Sequence, residues 1–451
     1  MTQSRTSEFS QNLRRYFQTA SEALFKELEP GEELTLNLTA EEQLYIRFNG
    51  NLVRQNTNVE QINLTLSFHG NGRTVAHSTT VGGRFEQDLP LLSRLLKTCR
   101  EEARVLPPDP HQVPFQNNGE SLNEFRGELP PIEKLLDSIT GPASGLDLAG
   151  LFAGGAIIRA NRNSHGQDHW FATETFFLDY SLYDGPRAAK GVYAGSTWNH
   201  ADWAANLNRT REQLELLKRP QQNVKPGRYR TYLAPGAAAE LLGILSWGGF
   251  SAAAWKQGLC PFRKLAEGEA KLSPMLTLKE NFTLGLCPRF NSIGEVAPES
   301  MTIIENGEFK EFLVSSKTAK EYGLKANAAE SYEASRSPEI LPGSLDESKI
   351  LKEIGTGLYL SNLHYLNWSD RVGARVTGMT RYACFWVENG EIVGPIKDLR
   401  FDESMYEALG PKLIGLTTKA EIEPSVSTYG LRDVGGVRVP GMLIDDFTFT
   451  L

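Results

Sequence analysis

A chain of 451 residues is too long for one ordinary core and predicts two or three domains. Its 40% apolar and 23% charged composition is that of a globular protein and speaks against extended disorder. The formal net charge of −8, from 47 basic and 55 acidic side chains, speaks against a surface built to neutralise a phosphate backbone, so no nucleic-acid partner is expected.

The first residues, MTQSRTSEFSQ, lack the basic-then-apolar order of a secretion signal. A cytoplasmic location is expected, and the five N-x-S/T matches (Asn37, Asn63, Asn208, Asn281, Asn367) carry no glycosylation meaning. Phe9, Leu13, Phe17, Ala20, Leu24 and Leu28 recur at helical spacing, and Pro30-Gly31 supplies the stop. The period then changes to two through Leu34, Leu36 and Leu38 and again through Ile62, Leu64, Leu66 and Phe68, with FNGN and HGNG as turns, which predicts an antiparallel sheet. Helical spacing returns from Arg84, and that helix covers the sheet in an α+β layer assigned to residues 1–115.

Six prolines between Pro107 and Pro131 mark a linker or long surface connection into a second unit, residues 116–222. Its strand signal is WFATETFFLDYSLY, with Trp170, Ala172, Phe176, Leu178, Tyr180 and Leu182 on one face. It closes with a helix striped by Trp203, Leu207, Leu214 and Leu217. The third unit, 223–451, reads mostly as strand and turn, including two hairpins that reverse at Asn-Gly, TIIENGEFKEFL and CFWVENGEIVGP. Residues 233–255 are apolar enough to invite a membrane reading, but Glu240, four glycines and Pro235 favour a buried helix and its flanks. No membrane contact is expected.

Candidate chemistry is sparse. Cys99, Cys260, Cys287 and Cys384 are far apart with no C-x-x-C and predict reduced, buried thiols. His165 and His169 lie four apart, but in a strand that separation is about 13 Å, too far for a shared ion unless a turn folds them together. The Asn, Ser and Gly around them predict a solvated hairpin; a loop metal site with Asp168 as third ligand is the alternative. No P-loop, G-x-S-x-G elbow or strand-borne G-x-G-x-x-G occurs.

The segments FNSIGEVAPESMTIIENGEFKEFLVSSKTAKEYGLKANA, TGLYLSNLHYL and TGMTRYACFWVENGEIVGPIKDLRF resemble the TldD/PmbA family, more closely its PmbA (TldE) branch. Upstream, IRFNGNLVRQNTNVEQINLTLSFHGNGRTVAHSTT is similar to the family's N-terminal sheet. The resemblance implies an α+β protein: an N-terminal α/β sheet-and-helix part followed by a large β-rich C-terminal domain, with pairs of chains enclosing a cavity. It also implies, in the TldD branch, a helix carrying H-E-x-x-x-H and a C-terminal cysteine that together hold zinc for peptide hydrolysis. Here the matching window is AELLGI: Glu240 and Gly243 are kept, Ala239 and Ile244 stand where histidines belong, and no cysteine follows Cys384. Neither a metal site nor catalysis of its own is therefore expected, and zinc is expected only in a TldD-like partner.

The resemblance thus implies a non-catalytic subunit of a TldD-type complex that shapes the cavity and binds extended peptide by strand addition. His364, Arg375, Thr377 and Arg381 are the candidate peptide-facing residues, because the family's matching strands approach the cavity. Two alternatives stand beside this: a hydrolase in its own right, through the His165 site or Glu240, and a homodimeric peptide-binding module. The family's label as a modulator of DNA gyrase finds no support in an acidic chain without a basic stripe.

Overall fold

The computed structural model describes residues 3–450. Helix α1 (Gln3–Lys26) buries Leu13, Phe17, Ala20 and Leu24 as its spacing predicts. Strands β1 (Glu33–Asn49), β2 (Leu52–Gly70) and β3 (Arg73–Thr80) form a meander, with β1 and β2 paired antiparallel over their whole lengths. Helix α2 (Phe85–Ala103) lies with α1 over the apolar side of this meander, sealing Leu34, Leu36, Leu38, Leu64 and Leu66 from water.

The stretch 116–222, read from sequence as a unit of its own, enters the same sheet. It contributes β4 (Glu120–Phe125), β5 (Asp147–Asn163), β6 (Asp168–Asp184) and β7 (Arg187–Gly195), giving seven strands in the order β3-β2-β1-β5-β6-β4, with β7 also on β6. β5 pairs with β1 from Thr35↔Asn163 to Phe48↔Gly150, so residues 33–195 build one layer rather than two units. The proline-rich stretch is also not a bare linker, because it carries the edge strand β4, parallel to the start of β6. Helices α3 (Ile132–Thr140) and α4 (His200–Leu217) cover the rest of the apolar face, where Trp203, Leu207, Leu214 and Leu217 meet Phe176, Leu178 and Tyr180. Asn199 caps α4, its side chain accepting from the backbone N–H of Ala201 and Asp202.

The C-terminal part holds an eleven-stranded sheet: β8 (Gly227–Leu233), β9 (Leu278–Asn281), β10 (Ser300–Glu305), β11 (Glu308–Phe309), β12 (Pro338–Ile340), β13 (Gly357–Asp370), β14 (Arg375–Glu388), β15 (Glu391–Pro395), β16 (Arg400–Ser404), β17 (Leu413–Pro424) and β18 (Gly436–Phe449). β8, β13, β14, β16 and β18 close on themselves, because β18 pairs with β8 as well as β16. Asn306-Gly307 and Asn389-Gly390 both adopt positive φ at the two turn residues, as type I′ hairpins require. The apolar stretch at 233–255 is helix α5 (Pro235–Leu245) and its flanks, with Ala238, Leu241, Leu242 and Leu245 buried in the C-terminal core. No helix among the described residues is long and apolar enough to cross a membrane. The protein is α+β with a β-rich C-terminal part, as the sequence implies.

The two parts meet on the polar face of the first sheet. Asn161 and Gln167 hydrogen-bond each other and reach the loop at Ser292 and Ile293. Gly294 stands there with φ +82, and any Cβ would collide with the Gln167 amide. Arg432 plugs the same face farther along, bonded to Gln43 and Thr175.

Candidate functional site

Between the two parts opens a cavity of about 750 Å³, within the size range of small-molecule and peptide-segment sites. One wall is the first turns of α5. Proline at the first helical position presets φ, and Gly236 lets the helix approach β13, where a Cβ would press on Asn362 and the Ser361 carbonyl. That placement sends Ala239, Glu240 and Gly243 to the cavity. A second wall is the end of β17, whose alternation points Glu421 and Glu423 the same way. The third comes from the N-terminal part, with Lys190 on β7 and Arg209 on α4.

The electrostatics follow from enclosure. Glu423 is pushed up to about 7, first by its removal from water and then by Glu421, with Glu240 adding to the rise and Lys190 and Arg209 opposing it. Glu240 opens onto the cavity yet is surrounded by protein; this raises its pKa, while Lys190 opposes the shift. Lys190 is engaged elsewhere, 3.1 Å from Asp179. Arg336 is turned away as well, its guanidinium donating to the carbonyls of Pro288, Phe290, Arg289 and Ala328 and stacking on Phe282.

A family zinc site would have to be built at α5, and the residues present do not fit it. Ala239 faces the cavity but has no lone pair to offer, and Ile244 is in the core, 4% exposed. The four degenerate positions therefore part company, three at the cavity and one inside the protein. Among the described residues no group of three His, Cys, Asp or Glu is placed to hold a metal. The four cysteines are buried free thiols, with Cys384 pushed up to about 11 by burial.

The histidine hairpin is where the sequence puts it, but its histidines are not both solvated. His165 sits at the tip, 3.2 Å from Glu33. His169 is fully buried, bonded through Nδ1 to Ser121 at 2.8 Å and stacked on Phe290, and burial lowers its pKa. Asp168 turns to Arg162 at 3.3 Å. The three groups have separate partners, so the loop metal site is not formed.

The four candidate groove residues lie farther along β13 and β14 and do not line the cavity. Arg375 grips Asp402 at 2.7 Å, Thr377 donates to the Phe401 carbonyl, Arg381 covers the Tyr382 ring, and His364 is exposed beside Tyr365. The near end of the same strand does reach the cavity, through Tyr359, Ser361 and Asn362. Glu421, Glu423, Lys190 and Arg209 were not singled out from the sequence; the only local signal was the E-I-E alternation at the end of β17.

Residues 226–451 match the family model described as the PmbA/TldA metallopeptidase C-terminal domain. The chain is 33% identical over 135 residues to metalloprotease PmbA of Escherichia coli O157:H7, a stretch covering 29% of each protein. Its fold is similar to that of TldE from Thermococcus kodakarensis, with a TM-score of 0.76 at 15% identity over 97% of this chain and 100% of that one. It is also similar to a protein from Thermotoga maritima described as a candidate modulator of a DNA gyrase, with a TM-score of 0.74 at 16% identity over 98% of this chain and 100% of that one. A Bacteroides thetaiotaomicron protein of like description gives 0.75 at 16% identity over 97% and 98%.

Proposed function

The chain belongs to the PmbA/TldD metallopeptidase family, and from that premise we propose that it works as a non-catalytic subunit of a peptidase complex. It pairs with a zinc-bearing TldD-like chain and holds peptide substrate in the cavity under α5. The observation that carries this is the donor set on that helix. Ala239 is at the cavity without a ligating atom, Ile244 is in the core, and Glu240 alone survives of the metal-and-base pattern. A carboxylate without a metal-polarised water is a poor catalyst of peptide hydrolysis, whereas the cavity around it keeps the polar lining a bound peptide needs. An acidic surface favours peptide over DNA, and the working location in this proposal is the cytoplasm.

Co-expression with a TldD-like chain from the same genome tests the reading by complex size, metal content and peptidase activity. A stable mixed complex is expected, with zinc and hydrolysis present only when the companion is. A self-pair indifferent to the companion favours a homodimeric peptide-binding module. Stoichiometric zinc with hydrolysis by the isolated chain would overturn the proposal.

A further inference from the structure

Six charged residues line the cavity: Glu240, Glu421 and Glu423 against Lys190, Arg209 and Arg336. The numbers balance but the commitments do not. Lys190 is held by Asp179, and Arg336 by four backbone carbonyls and the Phe282 ring. Among the described residues none of the three carboxylates has a side-chain hydrogen bond or an ion pair, and Arg209 is the one lining cation without a partner. Glu423 is the most enclosed of the three, held in the wall between Glu421 and the loop after β17 and aimed into the open volume.

Unpartnered carboxylates gathered in one cavity wall repel one another and offer only acceptors. A ligand that supplies N–H donors and positive charge removes both penalties at once; a neutral one satisfies acceptors but leaves the repulsion, and an acidic one adds to it. Resting on the peptide-binding reading of this cavity, we infer that the acidic wall formed by Glu240, Glu421 and Glu423 is a subsite for a cationic nitrogen of the bound peptide. That nitrogen is supplied by a free amino terminus or by a lysine or arginine side chain. Tyr359 and Asn362 flank the subsite on β13, and Lys190 and Arg209 stand across the cavity, where they favour the opposite charge farther along the ligand.

The test measures binding of short fluorescent peptides to the full chain, alone and in its complex with a TldD-like chain. One peptide is neutral and blocked at both ends, one is the same with a central lysine, one has a free amino terminus, and one has a central glutamate. The lysine or free-amine peptide is expected to bind roughly tenfold or more tightly than the blocked neutral one, and which of the two does so identifies the source of the nitrogen. Changing Glu240→Gln, Glu421→Gln and Glu423→Gln together should abolish that preference, read as the ratio of the cationic to the neutral peptide's affinity, with thermal melting as the check on folding. In the unaltered protein the preference should shrink as salt rises from about 50 to about 500 mM. Binding that ignores peptide charge, or a triple variant that keeps the preference, overturns the subsite alone. No binding of any of the peptides, with or without the companion, overturns the peptide-binding reading itself and the subsite with it.

Discussion

Arg432 Nη1 donates to Gln43 Oε1 at 3.1 Å, joining groups 389 residues apart in sequence. Its Nη2 donates to Thr175 Oγ1 at 2.9 Å, its backbone N–H donates to Glu41 at 2.8 Å, and its guanidinium covers the Phe177 ring. Burial lowers its pKa to about 10, which leaves it charged at neutral pH. The loop between β17 and β18 is thereby pinned to the first sheet, and Ser425 to Ser427 of that loop line the cavity.

Arg432→Ala is expected to destabilise the protein by roughly 3 kcal/mol, because the oxygens of Gln43 and Thr175 are left without their side-chain donor. Arg432→Lys recovers only part, since a single ammonium cannot span the fork. Urea unfolding of the three proteins measures this; equal midpoints would show that the plug carries no stability.

Gly294→Ala should cost about 3 kcal/mol, because the new methyl lands on the Gln167 amide at a backbone angle that L-residues avoid. Gly285→Ala is the control, with φ +68 and open space around it, and should cost about 1 kcal/mol. A melting series in which the control falls as far as Gly294→Ala would remove the collision from the explanation.

Glu423 gives a pH signature with a definite sign. Its folded pKa of about 7 lies above the ordinary carboxylate value of 4.5, so the folded chain holds the proton more tightly than the unfolded one. Its ionisation therefore costs nothing below pH 4.5 and weakens the fold progressively as pH rises toward and past 7. Glu421 and Glu240 face it and add to the rise, and Lys190 and Arg209 oppose it. Glu423→Gln should match the parent protein at pH 4.5 and be the more stable of the two at pH 8. Denaturant midpoints at both values decide it, and a constant offset would deny the raised pKa.

Rebuilding the family histidines separates the two positions. Ala239→His faces the cavity and should cost less than about 1 kcal/mol, whereas Ile244→His puts an imidazole in the core and should cost roughly 3 kcal/mol. The double variant should still bind no zinc at stoichiometry, because the thiolate is missing and the core position points away from the cavity. Metal analysis after dialysis reads the outcome; one tightly held zinc per chain would contradict it.

The elements that announced themselves in sequence are those with one wet and one dry face. The α1 stripe and the alternation of β1 and β2 are of this kind, while the Asn-Gly turns are marked by the positive φ their two residues tolerate. β5 gave no such signal, because glycines and residues buried on both faces erase the period, and Gly155 is there to let the backbone pass the Glu42 carbonyl. That strands 33–80 and 147–195 share a sheet was also hidden, since pairing partners are set by tertiary contact rather than local pattern. At the site, Ala239, Glu240 and Gly243 were reachable through the family's helix motif. Arg375 and Thr377, chosen because the family's matching strands approach the cavity, have their polar groups taken up by β16. Lys190 and Arg209 come from a different stretch of chain and are brought to the cavity only by folding.

The cavity draws its walls from both sides of a junction, and only one side lies within the residues that match the family model. Lys190 and Arg209 precede residue 226 and contribute to the chamber from outside that stretch. Under the peptide-binding proposal, two members of the family with near-identical C-terminal halves would accept different cargo, with discrimination tuned from the far bank. Grafting the C-terminal half onto another N-terminal half would transplant half a mould, and the guest it admits would be decided by the host.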